Sequence, residues 1–372
     1  MKLRIVTPFL ENKGGLERVI LKIAEYFDAT IHCLNYDSEN TFPEFKNLDI
    51  QFAKKGFLSK LPLSKRMSSA IEAGKYFYNL KLDDYDVINA HQTPSEWISN
   101  KNKRVIWYCH TPNREAYDLY KWRMKNRGLF SKAMFWTSIE AFKFIEKRTV
   151  PKIDYIFTNS LNSKERIKKY LNRESEILYP AVDIEKFNCS SYDKFFFYPS
   201  RIVPEKRIEY AIEGFKKFSI KNKGWKLIVA GGLSNKFEHK NYLERLKLIC
   251  NEDISIEINV NDERLIELYS KCFSVLYTPV NEDFGLVPLE AFASSKPCIA
   301  VNEGGPKETI IDGVDGFLIN NSDELAQKME FLINNESVAY EMGKNGLDKV
   351  KKKFSWKAFF DRFEKKAKEM SK

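Results

Sequence analysis

Short apolar runs alternate with longer helical patterns along the whole chain, and that alternation leaves few folds open. Residues 2–8 (KLRIVTP) form a buried-type strand run. Gly14 and Gly15 follow, and then LERVILKIAEYF sets Leu16, Val19, Ile20, Ile23 and Phe27 at helical spacing. Residues 30–34, 85–90, 104–109 and 154–159 read as further strands. The last of these leads into the helical SKERIKKYL, with Ser163 as its expected N-cap. Residues 176–179 close this half.

A second cycle then begins. Residues 194–198, 226–230, 255–258, 274–278, 298–301 and 316–319 are the expected strands, and residues 207–221, 242–251, 262–272, 288–294 and 324–334 the helices between them. Strands separated by helices imply parallel sheets in Rossmann-like α/β layers. At 372 residues the chain is too long for one ordinary core, so two α/β domains are expected, joined near residues 180–187. The boundaries fall at 1–182 and 183–356. The C-terminal stretch 357–372 is part of a strongly amphipathic helix carrying Trp356, Phe359, Phe360 and Phe363, and it is assigned back to the first domain.

Composition narrows the class. The six cysteines include no C-x-x-C pair, which argues against a disulfide framework or a zinc site, and four scattered histidines argue against a His-based metal site. The N-terminus runs straight into a strand, with no leader-type apolar region, and no run of about 18 apolar residues suggests a membrane span. A cytoplasmic protein, peripheral at most to a membrane, is expected. The net charge of +10 fits an anionic partner or a general lysine bias. Nucleic acid is not expected, since no binding motif for it occurs. Residues 117–152 mix Lys121, Arg123, Lys125, Arg127, Lys132, Lys143, Lys147 and Arg148 with Tyr120, Trp122, Phe130, Phe135, Trp136 and Phe144. That mixture suits an anionic membrane surface, and it also suits a helix with a solvated basic face.

The chemistry centres on NEDFGLVPLE, residues 281–290. It follows a strand and enters a helix whose first turn holds Pro288. Glu282 therefore lies at a strand's carboxyl end and Glu290 near a helix N-terminus, where α/β sheets bind ligands. Gly285 permits close backbone approach. A carboxylate such as Glu290 can accept two hydrogen bonds from a vicinal diol. Taken locally, both glutamates also read as surface charges. Arg201 and Lys206 follow a strand in the same half and could hold a pyrophosphate. Gly304 and Gly305 follow the CIAV strand, and DGVDGF (312–317) supplies another glycine turn. Gly14 and Gly15 stand at a helix N-terminus that could face phosphate. Neither G-x-G-x-x-G nor the P-loop signature is present, so a dehydrogenase or P-loop nucleotidase is not expected.

This ordered set resembles the retaining glycosyltransferases of family 4, also called glycosyl transferases group 1, which have the two-Rossmann GT-B fold. Glu282 and Glu290 match the family's E-x7-E motif, Arg201 and Lys206 its diphosphate-binding pair, and Gly14 and Gly15 its donor-facing glycine turn. Gly304, Gly305 and the 312–317 turn match later donor-site loops. YCHTPNR (108–114), TNS (158–160) and YPAVD (179–183) look most like the mannosyltransferase branch of polysaccharide and O-antigen assembly. That branch usually has Met where this chain has Asn113.

The resemblance implies two Rossmann-like domains facing across a cleft, with the first on the acceptor side and the second binding the donor. It implies catalytic roles for His110, Glu282, Arg201 and Lys206. The nucleotide-sugar would be held by Gly14, Gly15, Arg201, Lys206, Glu282, Phe284, Gly285, Leu286 and Glu290. Glu290 would take the ribose hydroxyls, Glu282 the transferred sugar, and His110 a place near the reacting carbon. GDP-mannose is implied more strongly than a UDP-sugar, with a glycan or lipid-linked acceptor and no metal or cofactor. The acceptor's identity would rest on first-half loops such as 56–69, which carry no legible motif. A UDP-sugar donor on the same fold and a non-catalytic glycan-binding subunit are the competing readings.

Overall fold

The computed structural model describes residues 1–53, 65–125 and 127–372. Most of the expected acceptor loop 56–69 lies outside the described residues. The chain forms two units, Met1–Pro180 with Phe360–Lys372, and Ala181–Phe359.

Among the described residues the first unit has nine short strands: β1 (Leu3–Val6), β2 (Phe9–Leu10), β3 (Thr30–Cys33), β4 (Asn35–Tyr36), β5 (Ile50–Phe52), β6 (Val87–His91), β7 (Val105–Cys109), β8 (Tyr155–Thr158) and β9 (Glu176–Ile177). Seven of them form one sheet in the order β5-β3-β1-β6-β7-β8-β9, and β2 and β4 form a separate pair. Every pairing in the seven-stranded sheet is parallel. Central strands such as β6 and β7 are buried at each position, as expected where helices cover both faces. Those helices are α1 (Gly15–Phe27), α2 (Lys65–Asn79), α3 (Tyr120–Lys125), α4 (Leu129–Thr149) and α5 (Leu161–Arg166). Helix α1 buries Val19, Ile20, Ile23 and Ala24, and left-handed Asp28 ends it by returning its N–H to Ala24 O.

One local expectation is overturned. Ser160, not Ser163, is the N-cap of α5: its backbone is extended and its hydroxyl accepts from Ser163 N at 3.0 Å. Ser163 is already inside the helix, and its hydroxyl donates to His110 O at 2.8 Å, tying α5 to the end of β7.

The second unit has strands β10 (Phe195–Pro199), β11 (Lys226–Gly231), β12 (Ile254–Ile258), β13 (Ser274–Tyr277), β14 (Cys298–Val301) and β15 (Gly316–Ile319). They form one sheet in the order β12-β11-β10-β13-β14-β15, again all parallel. Around it lie α6 (Ile208–Ser219), α7 (Phe237–Ile249), α8 (Asp262–Lys271), α9 (Val287–Ala293), α10 (Pro306–Thr309), α11 (Ser322–Asn334) and α12 (Glu336–Lys353). An aromatic core of Phe196, Phe218, Trp225 and Phe273 packs under β10, with Phe196 and Trp225 centroids 5.3 Å apart.

The last helix, α13 (Trp356–Ser371), begins in the second unit, where Trp356 Nε1 donates to Asp183 Oδ1 at 2.7 Å. From Phe360 onward it belongs to the first unit. There Phe360 stacks on Tyr26 at 4.0 Å, and Phe363 meets Phe27 and Phe157. Burial of this aromatic face is why so charged a sequence docks at all.

Candidate functional site

In the second unit the strand order reverses direction between β10 and β13. Open α/β sheets bind ligands at such a switch point, beyond the strands' carboxyl ends. The loops leaving β10 and β13 carry the expected residues, so topology alone brings them together.

The loop after β10 reaches Lys206 through a short 3-10 turn, Pro204–Lys206. Lys206 Nζ donates to Glu282 Oε2 at 2.5 Å and lies 3.5 Å from the Tyr277 hydroxyl. The pair is only partly exposed, which strengthens the attraction relative to open solvent. Tyr277 is buried under the site, and burial first, then the Glu282 charge, pushes its phenol well above its usual range. Tyr277 therefore stays a neutral hydrogen-bonding floor. Arg201 sits in the same loop and is exposed. Its backbone runs against β11: a Cβ at Gly231 would come within 1.9 Å of Ser200 O, and Ile202 N–H donates to Gly232 O at 2.9 Å.

The loop after β13 is tied to its neighbour by Arg207, which sequence reasoning passed over. Arg207 takes the left-handed conformation at φ 48° just before α6. Its guanidinium donates to Thr278 O at 2.9 Å, Pro279 O at 3.1 Å and Glu303 Oε1 at 2.9 Å. Glu303 in turn accepts from Asn281 N–H. One planar fork thus joins the loops after β10, β13 and β14, a role suited to arginine rather than lysine.

Glu290 lies in the first turn of α9 and accepts from the Tyr269 hydroxyl at 2.8 Å. Tyr269 is buried and, with Glu290 beside it, its phenol is held well above its usual range. Tyr269 thus donates throughout the physiological range. Gly285 sits at φ 81°, where a Cβ would meet the Tyr277 ring at 2.9 Å. The Phe284 ring is buried and faces Phe354 at 6.2 Å, so only its backbone is turned to the loop surface, and Leu286 precedes α9 as its N-cap.

Gly304 and Gly305 bring the loop after β14 onto this one. Gly305 N–H donates to Glu282 O at 2.8 Å. A Cβ at Gly304 would come within 2.3 Å of Glu282 O, and one at Gly305 within 2.0 Å of Phe284 O. The 312–317 turn is tied to its surroundings: Asp312 Oδ1 accepts from Leu318 N–H, Asp315 Oδ1 from Ile311 N–H, and Asp315 pairs with Lys349.

In the first unit, Gly14 is the N-cap of α1 and Gly15 its first residue. A Cβ at Gly14 would lie 2.6 Å from Glu17 Oε2, so the buried Glu17 carboxylate folds over this helix start. His110 follows β7 and is partly exposed. Its ring contacts His91, the last residue of β6, with Nε2 3.3 Å from His91 Nδ1. Burial lowers His110 to about 3 and holds His91 well below the usual imidazole range, so both rings are neutral. His91 was not singled out from sequence, although HQTP after a strand parallels HTPN after the next one.

Among the described residues no cluster of three or more His, Cys, Asp or Glu side chains is set for a metal ion. The triplet Asp84-Tyr85-Asp86 has the spacing of a metal-binding D-x-D string. Both of its carboxylates are engaged by Lys2, through Nζ and the backbone N–H, ahead of β1 and β6 at the sheet's opposite end. No helix among the described residues is long and apolar enough to cross a membrane.

Residues 13–186 match the family described as Glycosyltransferase Family 4, and residues 181–349 match Glycosyl transferases group 1. The Mus musculus Alpha-1,3/1,6-mannosyltransferase ALG2 is 29% identical, over 94% of this chain and 91% of that protein. Among solved structures, sucrose-phosphate synthase from Thermosynechococcus elongatus aligns with TM-score 0.77 at 16% identity, covering 100% of this chain and 99% of that one. Anabaena Alr3699/HepE in complex with UDP-glucose aligns with TM-score 0.75 at 16% identity, covering 99% and 100%.

Proposed function

The chain belongs to the glycosyltransferases of family 4 and group 1, with the GT-B fold, and from that premise we propose that it is a retaining mannosyltransferase taking GDP-mannose to a lipid-linked glycan. The observation that carries the reading is the set of groups at the β10–β13 switch point: a cation, Lys206, against Glu282, with Glu290 beyond it in the first turn of α9. The mannosyl donor rests on relatives such as the murine mannosyltransferase, which align over nearly the full chain.

In this reading the second unit holds the donor and the first unit holds the acceptor. Glu290 accepts from the ribose hydroxyls, and Glu282 from hydroxyls of the mannose. Arg201 and Lys206 bind the diphosphate. As the bond between the sugar's anomeric carbon and the phosphate oxygen breaks, the acceptor oxygen bonds to that carbon on the same face. The acceptor's proton passes to the departing phosphate. Charge accumulates on the diphosphate, and the two cations, Arg201 and Lys206, meet it there. They supply the positive charge that a divalent ion would otherwise bring, so no metal is needed. Gly14 and Gly15 place backbone near the donor, and His110 contacts the reacting sugar.

A lipid-linked acceptor calls for a membrane surface. Leu129, Phe130 and Trp136 on α4 are exposed, and the first two are more than 80% accessible. With exposed Lys121, Lys125 and Lys147 nearby in sequence, this segment suits an anionic headgroup layer. A peripheral position at the cytoplasmic face is part of the same proposal. Salt-sensitive co-sedimentation with anionic vesicles, weakened by Leu129→Ser with Phe130→Ser, is the expected result.

The test of the function is transfer from GDP-mannose to a lipid-linked glycan acceptor in the presence of EDTA, with the anomer of the new linkage read by NMR. An α-linked product is expected. A β-linked product, or full dependence on an added divalent ion, contradicts the mechanism.

A further inference from the structure

Behind His110 lies a buried hydrogen-bond chain that no part of the proposed mechanism uses. Asn89 and His91 are both on β6 and both fully buried. Asn89 Nδ2 donates to Ile106 O on the neighbouring strand at 3.2 Å. That bond fixes the amide's orientation, because a flipped amide would set two oxygens against each other. Asn89 Oδ1 therefore faces His91 Nε2, at 2.7 Å. An amide oxygen only accepts, so His91 Nε2 carries the proton.

His91 is neutral in its fully buried position, and a neutral imidazole has one N–H. Its Nδ1 is therefore a bare acceptor. The atom facing it is His110 Nε2, at 3.3 Å, so that nitrogen must be the donor. Neutral His110 then has a bare Nδ1. The Tyr108 ring packs on both imidazoles, at 5.5 Å from His91 and 4.7 Å from His110, and limits their rotation. Ser163 holds the His110 carbonyl.

We infer that Asn89 and His91 are positioning residues that lock His110 into the Nε2–H tautomer, so that His110 presents a hydrogen-bond acceptor to a substrate hydroxyl. The locked tautomer cannot donate through Nδ1 to a phosphate oxygen. The chain thus assigns His110 to recognition of a hydroxyl-bearing sugar and leaves the anion to the lysine and arginine of the second unit. This rests on the reading that His110 contacts the reacting sugar. It goes beyond that reading in naming which atom acts and what sets it.

Long-range 1H–15N correlation spectra of the full-length protein, labelled with 15N-histidine, read the tautomers directly at neutral pH. Both His91 and His110 are expected as neutral Nε2–H forms. A His110 with a protonated Nδ1 overturns the inference. Kinetics use hydrolysis of GDP-mannose, with water as acceptor. His91→Leu fills the space without an acceptor and is expected to lower kcat about tenfold or more, while GDP affinity, the control for folding, stays within about twofold. His91→Gln returns an acceptor oxygen to His110 and is expected to rescue most of that loss. Wild-type kcat in His91→Leu, or no rescue by His91→Gln, contradicts the positioning role. Wild-type kcat in His110→Leu would instead count against the placement of His110 at the sugar, which separates the two failures.

Discussion

Lys206 Nζ and Glu282 Oε2 lie 2.5 Å apart at the end of β13, so the cation assigned to the donor diphosphate is held by the carboxylate assigned to the sugar. An incoming diphosphate must draw Lys206 away from Glu282 or share it. Glu282→Gln removes that competition, and GDP is expected to bind several-fold tighter while mannosyl transfer falls. Lys206→Ala is expected to lower kcat/KM by about 100-fold, the scale of losing one preorganised charge at a leaving group. Unchanged turnover in Lys206→Ala rules out this assignment.

Arg207 joins three loops through bonds to Thr278 O, Pro279 O and Glu303. Arg207→Lys keeps the charge and loses the fork. It is expected to reduce both donor affinity and turnover about tenfold, with circular dichroism unchanged. A variant equal to wild type in both would show that the loops hold together without it.

Gly304 and Gly305 permit backbone contact between the loops after β13 and β14. Gly305→Ala sets a methyl against Phe284 O, an atom that cannot swing aside. A stability loss on the order of 2 kcal/mol or more is expected by denaturant titration, together with weaker donor binding. Gly128→Ala, where a Cβ meets nothing within 4 Å, is the control and is expected to be near neutral.

Two carboxyls are buried beneath the basic-aromatic segment. Glu146 accepts from the Tyr117 hydroxyl, and burial raises it to about 7 despite that bond and nearby Lys143. Burial, then the Glu146 charge, raises Glu96 well above the carboxylate range. A carboxyl whose folded pKa lies above its unfolded value favours folding fully below the unfolded value and loses that contribution as pH rises through the folded value. For Glu146 the window runs from about 4.5 to about 7. Melting temperature is expected to fall as pH rises across it, and Glu146→Gln, already neutral, is expected to flatten the dependence. At pH 8 the variant should gain on the order of 2 kcal/mol, or about 4–8 °C. A wild-type profile that is flat from pH 5 to 8 contradicts the assignment.

The alternation of strand and helix patterns made both parallel sheets legible, because strands buried on both faces read as unbroken apolar runs such as VIWYC and CIAV. The local placement of Glu282 and Lys206 after strands and of Glu290 in a helix's first turn was legible, because Pro288 and the neighbouring apolar runs mark those boundaries. It was not legible where three-dimensional partners decide the role. Arg207 follows Lys206 with the same charge, and only its left-handed backbone turns it inward to the loops. Helix α12 was missed because its glycines resemble breakers. Gly343 and Gly346 instead let it lie against Ser295 O and the Phe292 ring, which leave no room for a Cβ. Ser163 looked like a cap because the sequence does not show that Ser160 already fills that place.

The most direct test of the central claim is calorimetric titration of the full-length protein with GDP-mannose, UDP-glucose and UDP-GlcNAc, without metal, with Glu290→Ala as the paired variant. GDP-mannose is expected to bind in clear preference to both UDP-sugars, and the variant is expected to lose this binding. Preference for a UDP-sugar, or GDP-mannose binding untouched by Glu290→Ala, would contradict it.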